Sequence, residues 1–262
     1  MAKGGGAMTK KTAIITGAAG GLGRALDQGL HERGWQTVAI DLSGAALDAV
    51  ASGPDRHVHA CDLTDSGAVR CLCEELRKTL PSVDLVIYNA GVTQIGDFAD
   101  LTEQTHRKVL DINYFAAVNM AQALLEDVRK SRGTHLAISS VAGFSPLLRR
   151  TAYAASKHAL EGFFKSLRAE EKAHGVRCVI AAPSFVATNI GASERQPDGI
   201  ARPGSAPDGI DYMLPRDAAN EILNGLDRGR NFIPVGRIAR LAYLINRLSP
   251  ALFERLMARQ IR

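Results

Sequence analysis

Short runs of β-branched and apolar residues alternate along the chain with longer stretches in which apolar positions recur every three to four residues. The short runs predict strands at Thr12–Thr16, Gln36–Asp41, Arg56–Ala60, Asp84–Tyr88, Thr134–Ser139, Val176–Ala181 and Asn231–Pro234. Between them the 3.6-residue period predicts helices at about 22–33, 43–52, 65–80, 102–130, 152–174 and 216–228. Strands separated by helices of this length make βαβ units around a buried parallel sheet. Gly34, Gly133 and Gly175 fall just past helices, where a left-handed residue is expected, and Ser43, Ser66 and Thr102 are placed to cap helix starts.

Two segments break the rhythm. Residues 189–215 are rich in Gly, Pro, Ser and Asp without periodicity, which reads as a substrate loop or lid. From 237 to 262 the pattern is helical again and strongly basic, interrupted at Ser249-Pro250. Residues 1–9, with a second methionine at Met8, read as a tag or a disordered leader, and residues 10–236 as one domain. At 46% hydrophobic the composition is that of a folded chain, and no run approaches the roughly 18 apolar residues of a membrane span.

The net charge of +5 is unevenly placed: from Arg228 onward there are eight arginines against one acid, Glu254. The rest of the chain is close to neutral and the excess of basic residues is confined to the tail, so nucleic acid is not an expected partner. Cys61, Cys71, Cys73 and Cys178 have neither metal-ligand nor redox spacing and read as reduced, structural residues of a cytoplasmic protein. His57 and His59 share a strand face but lack a third ligand, so no metal is expected.

The first strand runs directly into Thr16-Gly17-Ala18-Ala19-Gly20-Gly21-Leu22-Gly23 and then a helix. Glycines there allow a tight turn and close backbone approach to a pyrophosphate, which meets the free N–H groups of the helix start. The second strand ends at Asp41, whose carboxylate can accept both hydroxyls of an adenosine ribose and would repel a 2′-phosphate. NAD is therefore expected over NADP, with Arg24 the cation that argues the other way.

Further motifs follow in order: Cys61-Asp62-Leu63 after the third strand, Asn89-Ala90-Gly91 after the fourth, Ser140 after the fifth, and Tyr153-Ala-Ala-Ser-Lys157 on a helix. With these spacings, residues 10–235 resemble the short-chain dehydrogenase/reductase family in its non-extended branch. The resemblance implies an α/β, Rossmann-like doubly wound parallel sheet of about seven strands, ordered 3-2-1-4-5-6-7, with helices on both faces. It also implies site roles. Tyr153 is the general acid/base, Lys157 lowers its pKa and binds the nicotinamide ribose, Ser140 bonds the substrate oxygen, and Asn113 holds a relay water. For the cofactor it implies Gly17, Gly21, Leu22, Gly23, Asp41, Asp62, Leu63, Asn89, Ala90 and Gly91, with Pro183, Val186 and Thr188 near the nicotinamide. Ser184 stands where the family usually has glycine.

The physical reading agrees. Residues four apart share a helix face, so Tyr153 and Lys157 can meet one substrate. A cation about 5 Å from a phenol lowers its pKa by roughly two units at an effective dielectric near 20, while burial opposes it. The expected activity is NAD(H)-dependent interconversion of a secondary alcohol and a ketone. An NADPH-dependent 3-ketoacyl-type reductase and a non-catalytic dinucleotide-binding protein are the rival readings.

A mostly apolar lining from Gly143, Phe144, Leu147, Leu148, Phe185, Ile190, Tyr212 and Met213 favours a lipophilic substrate. In the tail, Ile238, Leu241, Ile245 and Leu248 form an apolar stripe beside Arg240 and Arg247. Beyond it Leu252, Phe253, Leu256 and Met257 oppose Arg255, Arg259 and Arg262. Such a helix either packs on its own domain or a partner subunit, or lies peripherally on a membrane. The resemblance further implies a homodimer or homotetramer through the helices at about 102–130 and 152–174.

Overall fold

The computed structural model describes residues 10–188, 196–204 and 212–259. Seven strands form one parallel sheet: β1 (Thr12–Thr16), β2 (Gln36–Asp41), β3 (Arg56–Ala60), β4 (Leu85–Tyr88), β6 (Thr134–Ile138), β7 (Arg177–Pro183) and β9 (Phe232–Val235). Their order is β3-β2-β1-β4-β6-β7-β9, the expected doubly wound arrangement. A separate antiparallel pair joins β5 (Thr93–Gln94) to β8 (Ile200–Ala201).

The sheet is buried on both faces because successive side chains point to opposite sides. Along β1, Ile14 enters one core with α3 (Ser66–Thr79), α5 (Ala116–Ser131) and α6 (Thr151–Glu171). Its neighbours Ala13 and Ile15 enter the other, with α1 (Gly21–His31) and α7 (Pro215–Asp227). β3 lies at the edge, and its His57 and His59 are half-buried. The four cysteines are unbonded, and burial pushes the thiols of Cys73 and Cys178 up to about 12.

Several local expectations change. The helix expected over 102–130 is α4 (Glu103–Leu110), a π-helical turn at Asp111–Phe115, and α5. Thr102 caps α4 by accepting from Thr105 N (3.2 Å), but α3 is capped by Asp65 rather than Ser66. The short α2 (Ala45–Asp48) begins after Gly44 instead of Ser43, since the Gly44 carbonyl accepts its first bonds. After α5 the left-handed residue is Arg132 (φ 51°), not Gly133. Gly133 is required by space: a Cβ there would lie 2.8 Å from the Asp84 carbonyl oxygen.

The 189–215 segment is not structureless. Within it β8 pairs with β5, Met213 bridges to Val186, and Ile200 and Ala201 are buried. Residues 189–195, with Ile190, and 205–211 lie outside the described residues, as do 1–9 and 260–262. The basic end forms α8 (Arg237–Leu248) and α9 (Pro250–Arg259). α8 docks on the sheet edge: Tyr243 stacks on Phe232 with centroids 4.7 Å apart, and Asn246 donates to the Phe144 carbonyl (2.6 Å).

Candidate active site

The turn between β1 and α1 is stapled from the neighbouring strand. Asn89 Nδ2 donates to the carbonyls of Thr16 (3.1 Å) and Gly17 (3.0 Å), while the Asn89 and Ala90 N–H groups donate to Thr16 Oγ1. Gly17 sits at φ 65°, and a Cβ on it would come within 2.7 Å of Ala90 Cα. A Cβ on Gly23 would strike the Gly17 carbonyl oxygen at 2.2 Å, so this glycine lets the helix close onto the turn. Gly21 faces Thr188 at 3.1 Å, which brings the segment after β7 across the same turn.

The first turn of α1 has neither a side-chain cap at Gly20 nor an acidic residue. Its N–H groups and helix dipole are thereby left for an anion. Leu22 is buried beneath it. Asp41, at the end of β2, accepts from Ala19 N (2.8 Å) and Leu42 N (2.8 Å), which fixes its carboxylate against the turn. Exposed Arg24 reaches across to the Ala46 carbonyl (2.7 Å). Asp62 is exposed and closes its own turn through Thr64, and buried Leu63 is held by Asn119 Nδ2 at its carbonyl (3.0 Å). A dinucleotide fits this end: its diphosphate has the uncapped helix start, and the glycines let the turn, the helix and the segment after β7 close around it.

At the chemistry end, Ser140 follows β6 in extended conformation and its Oγ accepts from Ala142 N (3.2 Å). The Ser140 side chain lies near enough to Tyr153 to pull its phenol pKa down. Lys157, one turn along α6, has its Nζ 5.9 Å from the centre of the Tyr153 ring and donates to the Ile138 carbonyl (2.9 Å). Asn113 lies in the π-helical turn. Its amide donates to the Val92 carbonyl and Ser156 Oγ (2.9 Å each), and its Oδ1 accepts from Val92 N. A Cβ on Gly91 would lie 3.0 Å from Asn113 Oδ1 and 3.6 Å from Lys157 Nζ, so the three converge.

The electrostatics differ from expectation in one respect. Burial raises the Tyr153 phenol above its usual value, and the Ser140 side chain and the Arg150 charge only partly offset this. Lys157 is itself buried, which pushes its ammonium down to about 8, opposed by the Glu161 carboxylate. In the protein alone the Lys157 Nζ is turned to the Ile138 carbonyl, and burial keeps the phenol above its usual value.

Three supports escaped the sequence reading. Thr16 staples the glycine turn, Ser156 anchors Asn113, and buried Gln94 accepts from Ala152 N (3.1 Å) at the start of α6. Thr16 and Ser156 both lie inside the motifs read from the sequence, which carried the signal for them without assigning them these roles.

Pro183 is buried in β7 opposite Val235, Val186 is buried beside Met213, and Thr188 Oγ1 donates to the Pro203 carbonyl (2.6 Å). Ser184 packs against Gly236, where a Cβ would meet its Oγ at 2.9 Å, so glycine at 236 makes the room. Of the expected apolar lining, Phe144 turns instead to Phe232 and Tyr243 (6.0 and 5.4 Å), and Met213 packs on the core. Phe185 and Tyr212 pair at 5.8 Å, and Leu148 is exposed. A polar cavity of about 540 Å³ between α7 and α8, lined by Asp217, Glu221, Arg228, Arg230 and Arg240 among others, includes none of Ser140, Tyr153 or Lys157.

The sequence pattern that describes short chain dehydrogenases matches residues 11–199. The chain belongs to that family. A dehydrogenase/reductase SDR family member 7B from Bos taurus is 32% identical over 262 residues, covering 95% of this chain and 81% of that protein. A short chain dehydrogenase from Burkholderia cenocepacia J2315, solved with NADP, superposes with a TM-score of 0.82 at 22% identity, covering 95% and 97% of the two chains. An alcohol dehydrogenase from the archaeon Thermococcus sibiricus, complexed with 5-hydroxy-NADP, gives 0.72 at 21% identity over 84% and 91%. Family membership makes the chain an oxidoreductase of the short-chain type.

Proposed function

We propose that this short-chain dehydrogenase interconverts a secondary alcohol and a ketone with NAD(H), acting on a lipophilic substrate. The observation that carries the reading is that Asn113 and Lys157 meet beside Gly91, with the Lys157 ammonium 5.9 Å from the Tyr153 ring and Ser140 acting on the Tyr153 phenol. When bound, a nicotinamide cofactor supplies or accepts the hydride. The chain's own residues handle the proton: Ser140 orients the carbonyl oxygen, and the Tyr153 hydroxyl gives that oxygen a proton in reduction or takes it in oxidation. Lys157 places positive charge behind Tyr153 and presents ammonium protons toward the space beside Gly91. Asn113, with both amide ends on Val92 and Ser156, holds the adjoining backbone in place.

Asp41 supports NAD over NADP, since a carboxylate fixed at that strand end opposes a 2′-phosphate. The two structural neighbours above carry NADP-type ligands, and Arg24 is the residue through which this chain would do the same. Turnover with NADH and NADPH across ketones graded by chain length and ring size tests the reading. Tyr153→Phe should reduce turnover by about 10³-fold with cofactor affinity retained. Full activity of that variant would refute it, and a preference for NADPH would overturn the role of Asp41.

The tail supports a second element, peripheral contact with an anionic membrane. Leu241, Leu244 and Leu248 on α8 and Leu252 and Leu256 on α9 are exposed, with Leu248 at 76%. Exposed Arg237, Arg247 and Arg255 accompany them, with Glu254 the acid within these helices, while Arg240 is paired with Glu221 of α7. Apolar side chains flanked by cations match an anionic headgroup layer. Among the described residues no helix is long and apolar enough to cross a membrane. The chain should sediment with phosphatidylserine vesicles and not with phosphatidylcholine vesicles, and Leu241→Glu/Leu244→Glu/Leu248→Glu should abolish the binding. Loss of a dimer in the triple variant, without vesicle binding by the parent, would assign the face to a second copy instead.

A further inference from the structure

One turn beyond Lys157 on the same face of α6 lies a carboxylate that the chemistry above does not use. Tyr153, Lys157, Glu161 and Lys165 follow at intervals of four along the helix. The Glu161 side chain is 1% exposed, and a carboxylate in that setting requires partners for both oxygens. Ser139 Oγ donates to Oε1 (2.9 Å), and Lys165 Nζ, half in solvent, donates to Oε2 (2.7 Å). A Cβ on Gly143 would lie 2.6 Å from Glu161 Oε1 and 2.2 Å from Ser139 Oγ. Glu161 is thus pressed against both ends of the turn whose middle carries Ser140.

Glu161 lies one helical turn from Lys157 on α6, and its charge favours the Lys157 ammonium. The elements around Lys157 present uncharged groups to it: the Ile138 carbonyl, the Asn113 amide and the Gly91 backbone. Among the described residues Glu161 is the charged group whose field is felt at Lys157, with the Tyr153 phenol the other titratable neighbour. Lys165 sits behind Glu161, and the Arg150 charge acts on Tyr153.

We propose that Glu161 is a positioning residue for the reaction, tying the Ser139–Gly143 turn to α6 and supplying the countercharge that keeps Lys157 an ammonium at working pH. This rests on the roles given above to Ser140, Tyr153 and Lys157. A purely structural ion pair would hold the helix together without influencing how Lys157 titrates. The difference is measurable without cofactor or substrate.

In the full chain labelled with ¹³Cε-lysine, the Lys157 signal is identified by its loss in Lys157→Met. Its titration midpoint should lie near 8. Glu161→Gln, close in shape but uncharged, should lower that midpoint by about one pH unit, and Glu161→Asp should restore it. The alkaline limb of ketone reduction should move in the same direction. Ser139→Ala, which loosens the turn and leaves the charge, should lower kcat with the midpoint unmoved.

An unchanged midpoint in Glu161→Gln would overturn the proposal. If that variant does not fold, Lys165→Met replaces it at the half-exposed outer end. Removing the outer cation should raise the Lys157 midpoint by about 0.3 unit, and no rise would overturn the proposal equally. Full turnover by Tyr153→Phe with these midpoints moving as expected would refute the reading of the active site while leaving the coupling of Glu161 to Lys157 intact.

Discussion

The residues proposed to carry the chemistry are fixed by hydrogen bonds between buried side chains and backbone, whereas α8 rests on the domain through aromatic contacts, one side-chain hydrogen bond and a surface ion pair. Around the former, Asn113, Ser139, Ser156, Lys157 and Glu161 are all buried and each has a named partner. In the latter, α8 buries only Ala239 and Ala242 and rests on Phe144 and Phe232 through Tyr243. Buried polar networks over-determine the position of each member, while a surface helix on a few contacts can shift at modest cost.

The sharpest challenge to this contrast is to remove charge from the buried side. Lys157 titrates near 8 in the folded chain against an ordinary 10.5. The unfolded chain therefore binds the extra proton between these values, so stability rises with pH across that window and the full penalty applies below 8. The penalty is about 3 kcal/mol at 1.36 kcal/mol per unit, and losing the bond to the Ile138 carbonyl returns about 1 kcal/mol. Lys157→Met should thus stabilise the fold by about 2 kcal/mol at pH 7, a gain that fades by pH 10.5, while turnover falls by about 10²–10³-fold. Urea denaturation at both pH values checks it. A variant less stable than the parent at pH 7 would mean that the network already compensates the buried ammonium in full.

A smaller effect is expected at the cofactor end. Gly17→Ala puts a Cβ 2.7 Å from Ala90 Cα and holds alanine at φ 65°. The left-handed backbone alone costs about 1–2 kcal/mol, and backbone rather than a yielding side chain opposes the new atom. Stability should fall by about 2 kcal/mol, and NADH affinity, read by fluorescence titration, by about tenfold or more as the turn opens. Retained affinity would show that the cradle tolerates displacement.

The two regions were also unequally legible in the sequence. The central sheet strands were readable because strands buried on both faces are largely apolar, and the half-buried edge strand β3 followed from its place in the alternation; Tyr153, Lys157, Ser140 and Asp41 could be singled out by motif spacing. The π-helical turn at Asp111–Phe115 was not readable, since the apolar period of 102–130 continues through it and only the backbone registers the extra residue. The β5–β8 pair was missed because two-residue strands leave no period and their partners lie about a hundred residues apart. In α8 amphipathicity was plain but the docking face was not. Small Ala239 and Ala242 approach the sheet edge while Leu241 and Leu248 of the expected stripe point outward. A sequence shows that a helix is amphipathic, and the shape of its neighbour decides which apolar residues it uses.

The finest test of the comparison is at the joint between the two regions. Asn246 donates to the Phe144 carbonyl, four residues beyond Ser140, so α8 touches the turn next to the chemistry. Asn246→Ala removes one half-buried hydrogen bond and should cost about 1 kcal/mol or less. If α8 belongs with the adjustable side, the loss should appear as a raised KM for the ketone, with kcat and the pH profile unchanged, because Ser140 is still tied through Ser139 to Glu161. A fall in kcat at constant KM would instead place the Phe144 turn, and α8 with it, among the groups that set the geometry of proton transfer.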